Sequence, residues 1–352
     1  MTNRLLLEAS GGIIWGVSNN FPRPWLNPGI VGVVEQSTGM AYRAPTDASR
    51  GRPERVVSTR TVVSYITGAH AVKVGMTHRS GREREYRFDT SPLTFRFNNG
   101  VPNQLTQRAM PITLLTHVDH DMGVFAQDRW TVRGLTLTAG VRYDYYTNSF
   151  PDQPVGPALL APTRNITLPA QKGSNYRDVT PRLGASYDLF GTGKTALKVS
   201  LNKYLVALGS GGFPGTVSLN PTDSLVVSTT RSWNDTNRNF APDCNLIDAN
   251  ANGECGAMDN RAFGGVRRGT NYDPDLLSGW GKRQFNWEFS AGVQHELANR
   301  VSADFGYFRR AYGNLIVTDN RTISAADFDT FSITAPKDPR LPGGGGYTIA
   351  GL

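Results

Sequence analysis

A polar loop in the second half of the sequence carries the residues best suited to chemistry. It spans 234–260 and is dense in Asp and Asn. Within it, Asp248, Asn250, Asn252 and Asp259 fall where an EF-hand-type loop places calcium ligands. No helical pattern flanks the loop, and Asp replaces the usual Glu at the last position. Calcium is therefore the one cofactor that the sequence suggests, and a plain Asx-rich surface loop is the alternative.

The same loop holds both cysteines of the chain, Cys244 and Cys255. In a reducing cytosol, two cysteines this close in sequence more often bind a metal or have no joint role. In an oxidising compartment they would instead form a disulfide that closes the loop. The residues alone leave these alternatives open.

Two other segments look like catalytic or binding motifs but lack the required context. Gly191-Thr-Gly-Lys-Thr195 resembles a phosphate-binding loop, yet Asp188 stands where the first glycine is needed and a strand pattern follows where a helix is required. His117 and His120 are three apart in strand-like surroundings, which does not fit a zinc helix. The sequence therefore predicts no enzyme.

Strict alternation of apolar and polar residues dominates the chain and predicts β-strands with two different faces. In the clearest stretch, apolar residues recur at every second position from Phe285 to Leu297, with His295 as the polar exception. A turn leads into a second alternating run from Val301 to Tyr307, which completes a hairpin. The predicted fold is all-β and antiparallel. Three further hairpins follow the same pattern, at 55–88, 123–145 and 181–201.

Tight turns join the strands within each hairpin, whereas long polar segments separate the hairpins. Short turns at one end and long loops at the other are the layout of a transmembrane β-barrel of the outer-membrane type. A soluble β-sandwich, the alternative, would need few loops of this length and would bury its strand-end aromatic residues in a core. The layout favours the barrel, with long polar extracellular loops. We place these loops at about 18–54, 147–178 and 205–283.

The composition fits a membrane protein built from strands. No run of the 352 residues approaches the ~20 apolar residues of a membrane-spanning helix. A barrel needs only alternation, because its backbone groups are satisfied between strands, and the mean hydropathy of −0.36 agrees with this.

The formal net charge of +8 comes mainly from arginine, because only seven of the 37 basic residues are lysine. This bias is less typical of nucleic-acid-binding tails than of ion pairs in a barrel interior, so we predict no nucleic-acid partner. The arginines on the polar face, and the acids predicted to pair with them, are Arg129, Arg142 and Arg182 with Asp144, Asp188 and Glu288.

Several of these segments resemble TonB-dependent outer-membrane receptors, and the resemblance covers most of 55–312. Two hairpins are similar to ones typical of the family. They are Gly123-Val-Phe-Ala-Gln-Asp-Arg-Trp130 with Leu135-Thr-Leu-Thr-Ala-Gly-Val-Arg-Tyr-Asp144, and Thr180-Pro-Arg-Leu-Gly-Ala-Ser-Tyr-Asp188 with the glycine-rich turn after it. Two segments resemble the Oar-like branch in particular. They are Gly68-Ala-His-Ala-Val-Lys-Val-Gly75 and Trp287-Glu-Phe-Ser-Ala-Gly-Val-Gln-His-Glu-Leu297.

The resemblance implies a barrel of 22 strands, of which our ten to twelve predicted strands are about half. We recognise no plug domain, TonB box or signal peptide ahead of the strands, and the chain does not close on an aromatic barrel strand. We therefore interpret residues 1–352 as an internal or C-terminal barrel segment of a longer receptor. An isolated half-barrel would leave unpaired edges that hydrocarbon does not tolerate.

The resemblance also implies a function and a location. The chain would belong to a receptor in the outer membrane of a Gram-negative bacterium, in contact with lipid. The receptor would import an unknown bulky nutrient, driven by the TonB complex through a plug that this chain lacks. Alternatives are a non-transporting barrel or adhesin whose loops bind partners, and a soluble β-domain that binds acidic ligands or nucleic acid. Folding through the oxidising periplasm would make Cys244 and Cys255 a disulfide, which would draw the carboxylates of the candidate calcium loop together.

Overall fold

The computed structural model describes residues 4–20, 29–45, 49–209 and 219–351, and the chain divides into two compact units, Met1–Asn314 and Leu315–Leu352. The first strands of the first unit, in chain order, are β1 (Leu5–Asn20), β2 (Gly32–Glu35), β3 (Ala41–Tyr42), β4 (Ser49–Thr67), β5 (His70–Phe88), β6 (Leu93–Asn98), β7 (Val101–Arg108), β8 (Ile112–Val132) and β9 (Leu135–Phe150). They are followed by β10 (Gln153–Val155), β11 (Ile166–Leu168), β12 (Gln171–Asp188), β13 (Thr195–Leu205), a 3₁₀ helix (Pro221–Ser224), β14 (Ser228–Ser232), α1 (Pro274–Leu277), β15 (Ser278–Trp280), β16 (Phe285–Ala298) and β17 (Val301–Gly313).

The long strands form one antiparallel sheet in the order β1-β4-β5-β8-β9-β12-β13-β16-β17, and the short β15 adds in parallel to β12. Neighbours in the sheet are neighbours in the order of the long strands, as in an up-and-down barrel. Within the described residues, β1 and β17 do not pair with each other, so the sheet is open, as in part of a larger barrel.

The two faces of this sheet differ in chemistry as the alternation predicts. In the β16–β17 hairpin Val293 lies opposite Phe305, and these side chains are 39% and 74% exposed. On the other face Ser290 and Ser200 of β13 share a hydrogen bond of 2.8 Å. A sheet that leaves large apolar side chains on one face and bonds its polar groups on the other suits contact with lipid. The four predicted hairpins are confirmed.

Tight turns join β4 to β5, β8 to β9, β12 to β13 and β16 to β17, all at one end of the sheet. Gly68 in the first of these turns has φ of +52°, a left-handed conformation that glycine adopts without steric cost. Arg133 and Arg300 take the same conformation in two other turns. These turns limit one end of the sheet to short connections.

Two of the predicted loop ranges need correction, because the long strands continue into 18–54 and 147–178, whereas β13 ends at Leu205 and β16 begins at Phe285, close to the predicted bounds of the third loop. β1 ends at Asn20, β9 ends at Phe150 and β12 begins at Gln171. β8 has 21 residues, about twice the nine to eleven that cross a bilayer. The long strands continue to pair beyond the part of the sheet that has apolar side chains on one face. The alternation that predicts strands from the sequence ends with that part. Parts of the predicted loops, 21–28, 46–48 and 210–218, lie outside the described residues.

Segments from the other end of the sheet build a second, five-stranded sheet in the order β14-β7-β6-β2-β3. Its strands come from three connections, including residues 89–111, which we did not predict as a long loop. We call this sheet, together with residues 233–260, the loop platform. Its strands have two to eight residues, too few for a convincing alternation in the sequence.

The second unit contains 3₁₀ helices at Ala325–Asp327 and Pro342–Gly344 and a small hairpin of β18 (Ile333–Thr334) and β19 (Thr348–Ile349). In the part of the chain that the structure describes, no helix has the length and apolar character needed to cross a membrane.

Candidate functional site

The loop platform has its own buried core. Val33 and Leu105 are fully buried there, and Trp233 is only 2% exposed. The Trp233 ring packs on Phe95 at 4.8 Å and on Phe97 at 6.4 Å between ring centroids. Aromatic packing of this kind stabilises a small sheet beyond its simple area burial. The loops at this end therefore form a folded structure.

Cys255 lies in the same core and is joined to Cys244 by a disulfide, with 5.8 Å between the Cα atoms. The bond closes the segment 244–255 against Trp233, whose backbone pairs with Cys255. The covalent link and the aromatic core therefore hold the same piece of chain.

In the purified receptor we expect mass spectrometry under non-reducing conditions to find Cys244 and Cys255 linked. Closing a loop of this size contributes roughly 3 kcal/mol in the chain-entropy model. Reduction should consequently speed proteolysis of the loop platform while leaving the long strands resistant. Alkylation of both thiols without reductant would contradict the linkage.

Arg231 of β14 occupies the centre of the candidate calcium loop. Its side chain is buried, and its guanidinium donates hydrogen bonds to the backbone oxygens of Gly256 at 2.7 Å, Asp248 at 3.1 Å and Asn250 at 2.7 Å. Burial lowers the pKa of Arg231, but a guanidinium stays charged in proteins. A cation supplied by the chain therefore already satisfies the carbonyl oxygens of this loop.

The predicted calcium ligands take part in hydrogen bonds within the loop platform. Asp248 accepts a hydrogen bond from the backbone N–H of Asn250 at 2.9 Å, and Asn252 accepts one from that of Asn245 at 2.6 Å. Asp259 accepts from the Thr229 hydroxyl at 2.7 Å. Among the described residues no group of three or more His, Cys, Asp or Glu could hold a metal ion. Asp248, Asn250 and Asn252 are thus hydrogen-bonded to one another in Asx turns near Arg231, whereas Asp259 is bonded to β14. The calcium site remains a prediction.

We accordingly expect millimolar calcium to leave proteolysis of the segment 244–255 unchanged, because Arg231 would repel a second cation there. Arg231→Met should instead increase cleavage of this segment, since three carbonyl oxygens would lose their donors. Calcium-dependent protection that disappears in Asp248→Asn would contradict this interpretation and restore the calcium loop.

Two glutamates fasten the platform through hydrogen bonds to its turns. Glu254 accepts from the Thr236 hydroxyl at 2.7 Å and from the Thr236 N–H, and these bonds lower its pKa to about 2. Glu35 accepts from the Ser37 hydroxyl at 2.7 Å and from the Gly100 N–H, which lower its pKa to about 2 as well. Both carboxylates are therefore held in the charged form by donors from neighbouring turns.

The loop platform is expected to loosen in acid. Both folded-state pKa values lie below the ordinary value of 4.5, so their contribution is complete above pH ~4.5 and is lost as the pH falls towards 2. Hydrogen exchange of the platform amides should rise over that window. Glu254→Gln should flatten the dependence near Thr236, whereas an unchanged pH profile in this variant would contradict the role of Glu254.

On the polar face of the long strands, several charged side chains form ion pairs. The Arg142 guanidinium bonds Asp144 at 2.7 Å, which confirms one predicted pair, and Arg79 bonds Asp121 at 2.8 Å. Glu288 pairs with Arg310 at 2.5 Å, an arginine that we did not single out. Arg182 lies over the Tyr204 ring at 5.0 Å, in a cation–π contact. The face is thus a fixed array of hydrogen-bonding and charged groups.

Asp178 of β12 differs from these paired charges. It lies directly opposite Asp144, is only 1% exposed, and neither of its carboxylate oxygens has a hydrogen-bond partner within the described residues. A buried carboxylate without a hydrogen-bond donor is costly, and the charge of the nearby buried Arg283 offsets part of that cost.

Sequence reasoning missed the buried arginines that order the loops. Besides Arg231, Arg164 is buried and donates to the backbone oxygens of Gly156 and Ala109, each at 2.6 Å, and of Pro111 at 3.1 Å. Such contacts join residues up to 55 positions apart. The arginine bias of the composition was the available signal, although it does not say which arginines are buried. The candidate pair His117 and His120 lies in β8 on either side of a register shift.

Comparison with known protein families shows which family the chain belongs to. Residues 17–343 match the family described as TonB dependent receptor-like, beta-barrel. The chain belongs to this family. The match confirms the predicted fold class and the predicted receptor family, and the Oar-like branch remains a prediction.

The chain is also similar, at low identity, to several solved structures. The chain is similar to the ferric yersiniabactin uptake receptor FyuA from Yersinia pestis, with 11% identity, a TM-score of 0.40, and coverage of 89% of this chain and 41% of FyuA. The ferric citrate transporter FecA has 11% identity and a TM-score of 0.36, with coverage of 88% of this chain and 40% of FecA. The siderophore receptor PiuA from Acinetobacter baumannii has 11% identity and a TM-score of 0.36, with coverage of 88% of this chain and 45% of PiuA. The chain thus spans less than half the length of each receptor. No curated protein sequence matches it.

In a TonB-dependent receptor barrel, the apolar face contacts lipid and the polar face lines the interior. We therefore expect the ion pairs at Asp121, Asp144 and Glu288 to lie in the barrel interior and Val293 and Phe305 to face lipid.

Proposed function

We propose that the chain forms part of the wall of an outer-membrane receptor that imports a bulky nutrient by energy-coupled transport. In this proposal the tight turns lie in the periplasm and the loop platform lies outside the cell, where it contributes to capture of the nutrient. A plug domain would couple the barrel to the TonB complex. Like the uptake receptors to which it is similar, the protein would have no enzymatic activity.

The folded loop platform is the observation that carries the proposal. Long loops at one end converge on a core around Trp233, and the polar face below carries fixed charges such as Arg79 with Asp121 and the unpartnered Asp178. A preorganised binding surface above a charged interior is suited to capture followed by passage. The nutrient remains unnamed, because its specificity would reside in these loops and in the plug.

Deletion of the gene in its source bacterium tests this function. The deletion strain should grow more slowly than the parent when one bulky nutrient is limiting, and the panel should include ferric citrate, a hydroxamate ferric siderophore, cobalamin and a large oligosaccharide. The intact gene should restore growth, and growth with a small nutrient should be unaffected.

The adhesin alternative makes a different prediction for the same strains. If the loops only bind partners, the deletion strain should lose attachment to surfaces or cells and should grow like the parent on every nutrient of the panel. That result would overturn the transport proposal.

A further inference from the structure

Two histidines on neighbouring strands have their rings in direct contact. His78 lies in β5 and His120 lies in β8, and the Nε2 atom of His78 is 3.2 Å from the Nδ1 atom of His120. Two ligands bound at about 2.0 Å to one tetrahedral metal ion are about 3.3 Å apart. In the tautomers that carry their protons on the other two ring nitrogens, both of these atoms are free to bind a metal. The contact therefore has the spacing of a two-histidine chelate.

Two methionines lie beside the histidines on the same face of the sheet. Met122 of β8 lies directly opposite His78, and Met76 comes two residues before His78 in β5. Residues directly opposite each other across a strand pair, or two apart in one strand, share a face. Two of the five histidines and two of the six methionines of the chain thus meet in one place. We call His78, His120, Met76 and Met122 the His–Met cluster.

The cluster is open to the surroundings of the sheet, and an aromatic ring supports it. His120 is exposed, and Tyr145 of β9 stacks on its ring at 6.1 Å between centroids. Tyr145 also lies directly opposite Met122. Arg79 and Asp121, which follow the two histidines in sequence, pair with each other at 2.8 Å on the polar face. The cluster therefore holds neutral donor atoms, and the adjacent charges lie on the other side of the sheet.

The types of ligand select the metal ion. Among the residues that the structure describes, no third His, Cys, Asp or Glu completes a site with the two histidines. Zinc takes imidazole, thiolate and carboxylate ligands, so it would find only two protein ligands here. A thioether is a soft ligand that suits copper(I), and imidazole suits copper as well. Two imidazoles beside two thioethers are thus a ligand set for copper(I).

We propose that the His–Met cluster binds one copper(I) ion. The ligands are Nε2 of His78, Nδ1 of His120 and the sulfur atoms of Met76 and Met122, so the ion joins β5 to β8. Binding requires no change in the oxidation state of the copper. The site lies on the apolar face of the sheet, whereas a nutrient would pass along the polar face. The proposal therefore does not rest on the proposed function.

The test titrates copper(I) into the full-length receptor in detergent micelles under anaerobic conditions, with bicinchoninate as the coloured competitor. His78→Ala with His120→Ala should weaken copper(I) binding by roughly tenfold or more, because loss of an outer partner of a metal ligand alone costs that much. His70→Ala with His117→Ala is the matched control, since it removes one histidine from each of the same two strands. This control should bind copper(I) like the wild type.

The methionines are tested separately from the histidines. Met76→Leu with Met122→Leu conserves side-chain volume and should also weaken copper(I) binding. X-ray absorption at the copper edge should show nitrogen and sulfur ligands in the wild type, and the sulfur signal should disappear in this variant. Zinc(II) should bind the wild type more weakly than copper(I) does.

Equal copper(I) affinity in the two double histidine variants would overturn the proposal and leave the contact as a hydrogen bond between two side chains. Copper bound without sulfur, or zinc(II) bound as tightly as copper(I), would also overturn it, since the methionines would then not be ligands. Heat-modifiable migration on gels shows whether each variant is folded. If the alanine variant does not fold, His78→Gln with His120→Gln replaces it, and the same loss of copper(I) affinity is expected.

Discussion

A Val293→Arg variant is expected to fail to assemble in the outer membrane. Val293 lies on the apolar face of β16 between Leu197 of β13 and Phe305 of β17, so the new charge would face hydrocarbon. An arginine near the middle of the bilayer costs roughly 2–4 kcal/mol in a barrel. The fraction of receptor that becomes resistant to urea extraction and migrates in a heat-modifiable form measures the loss.

Ser290→Arg is the matched control, because Ser290 lies three positions away on the polar face. Its hydroxyl bonds the Ser200 hydroxyl, and a barrel interior can hydrate a new guanidinium. This variant should assemble close to the wild-type level. Equal damage by both substitutions, or equal tolerance of both, would remove the assignment of faces to this hairpin.

A Trp233→Ala variant is expected to unfold the loop platform while the long strands remain assembled. Trp233 packs against Phe95 and Phe97, and truncating a buried tryptophan costs about 3–5 kcal/mol. A loss of this size is a large fraction of the stability of a small folded unit. Limited proteolysis should cut the variant within 233–260, and growth on the transported nutrient should fall with it.

Phe240→Ala provides the comparison for this substitution. Phe240 contacts Phe97 at 6.1 Å but is 53% exposed, so its loss removes far less buried surface. Protease resistance of the platform should stay near the wild-type level. If Trp233→Ala were as resistant as Phe240→Ala, the aromatic core would not be what holds the loops together.

The long hairpins could be predicted from the sequence because each strand has to present one face to lipid. This requirement produces the alternation from Phe285 to Leu297 and from Val301 to Tyr307, and β16 and β17 occupy these ranges. The ends of strands beyond the apolar band could not be predicted in the same way. Residues such as Asn148 of β9 are paired and buried under loops, and no lipid face marks them.

The structure of the loop platform could not be predicted from the sequence for a different reason. Its order depends on contacts between distant segments, such as Gln107 bonding the Leu246 carbonyl at 2.7 Å and Arg231 bonding three carbonyls. A buried arginine and an exposed one look alike in a sequence. The Asx spacing of 248–259 suggested calcium because turns of this kind occur both in ion-binding loops and in ion-free ones, and only the position of Arg231 separates the two here.

Energy-dependent removal of a bulky compound from the medium tests the central claim most directly. Mass spectrometry should follow the compounds in spent medium from the parent, the deletion strain and the parent treated with a protonophore. Transport through this receptor predicts at least one compound, too large for general porins, that the parent depletes and the other two leave behind. Depletion of every such compound at the same rate in the parent and the deletion strain would contradict the account.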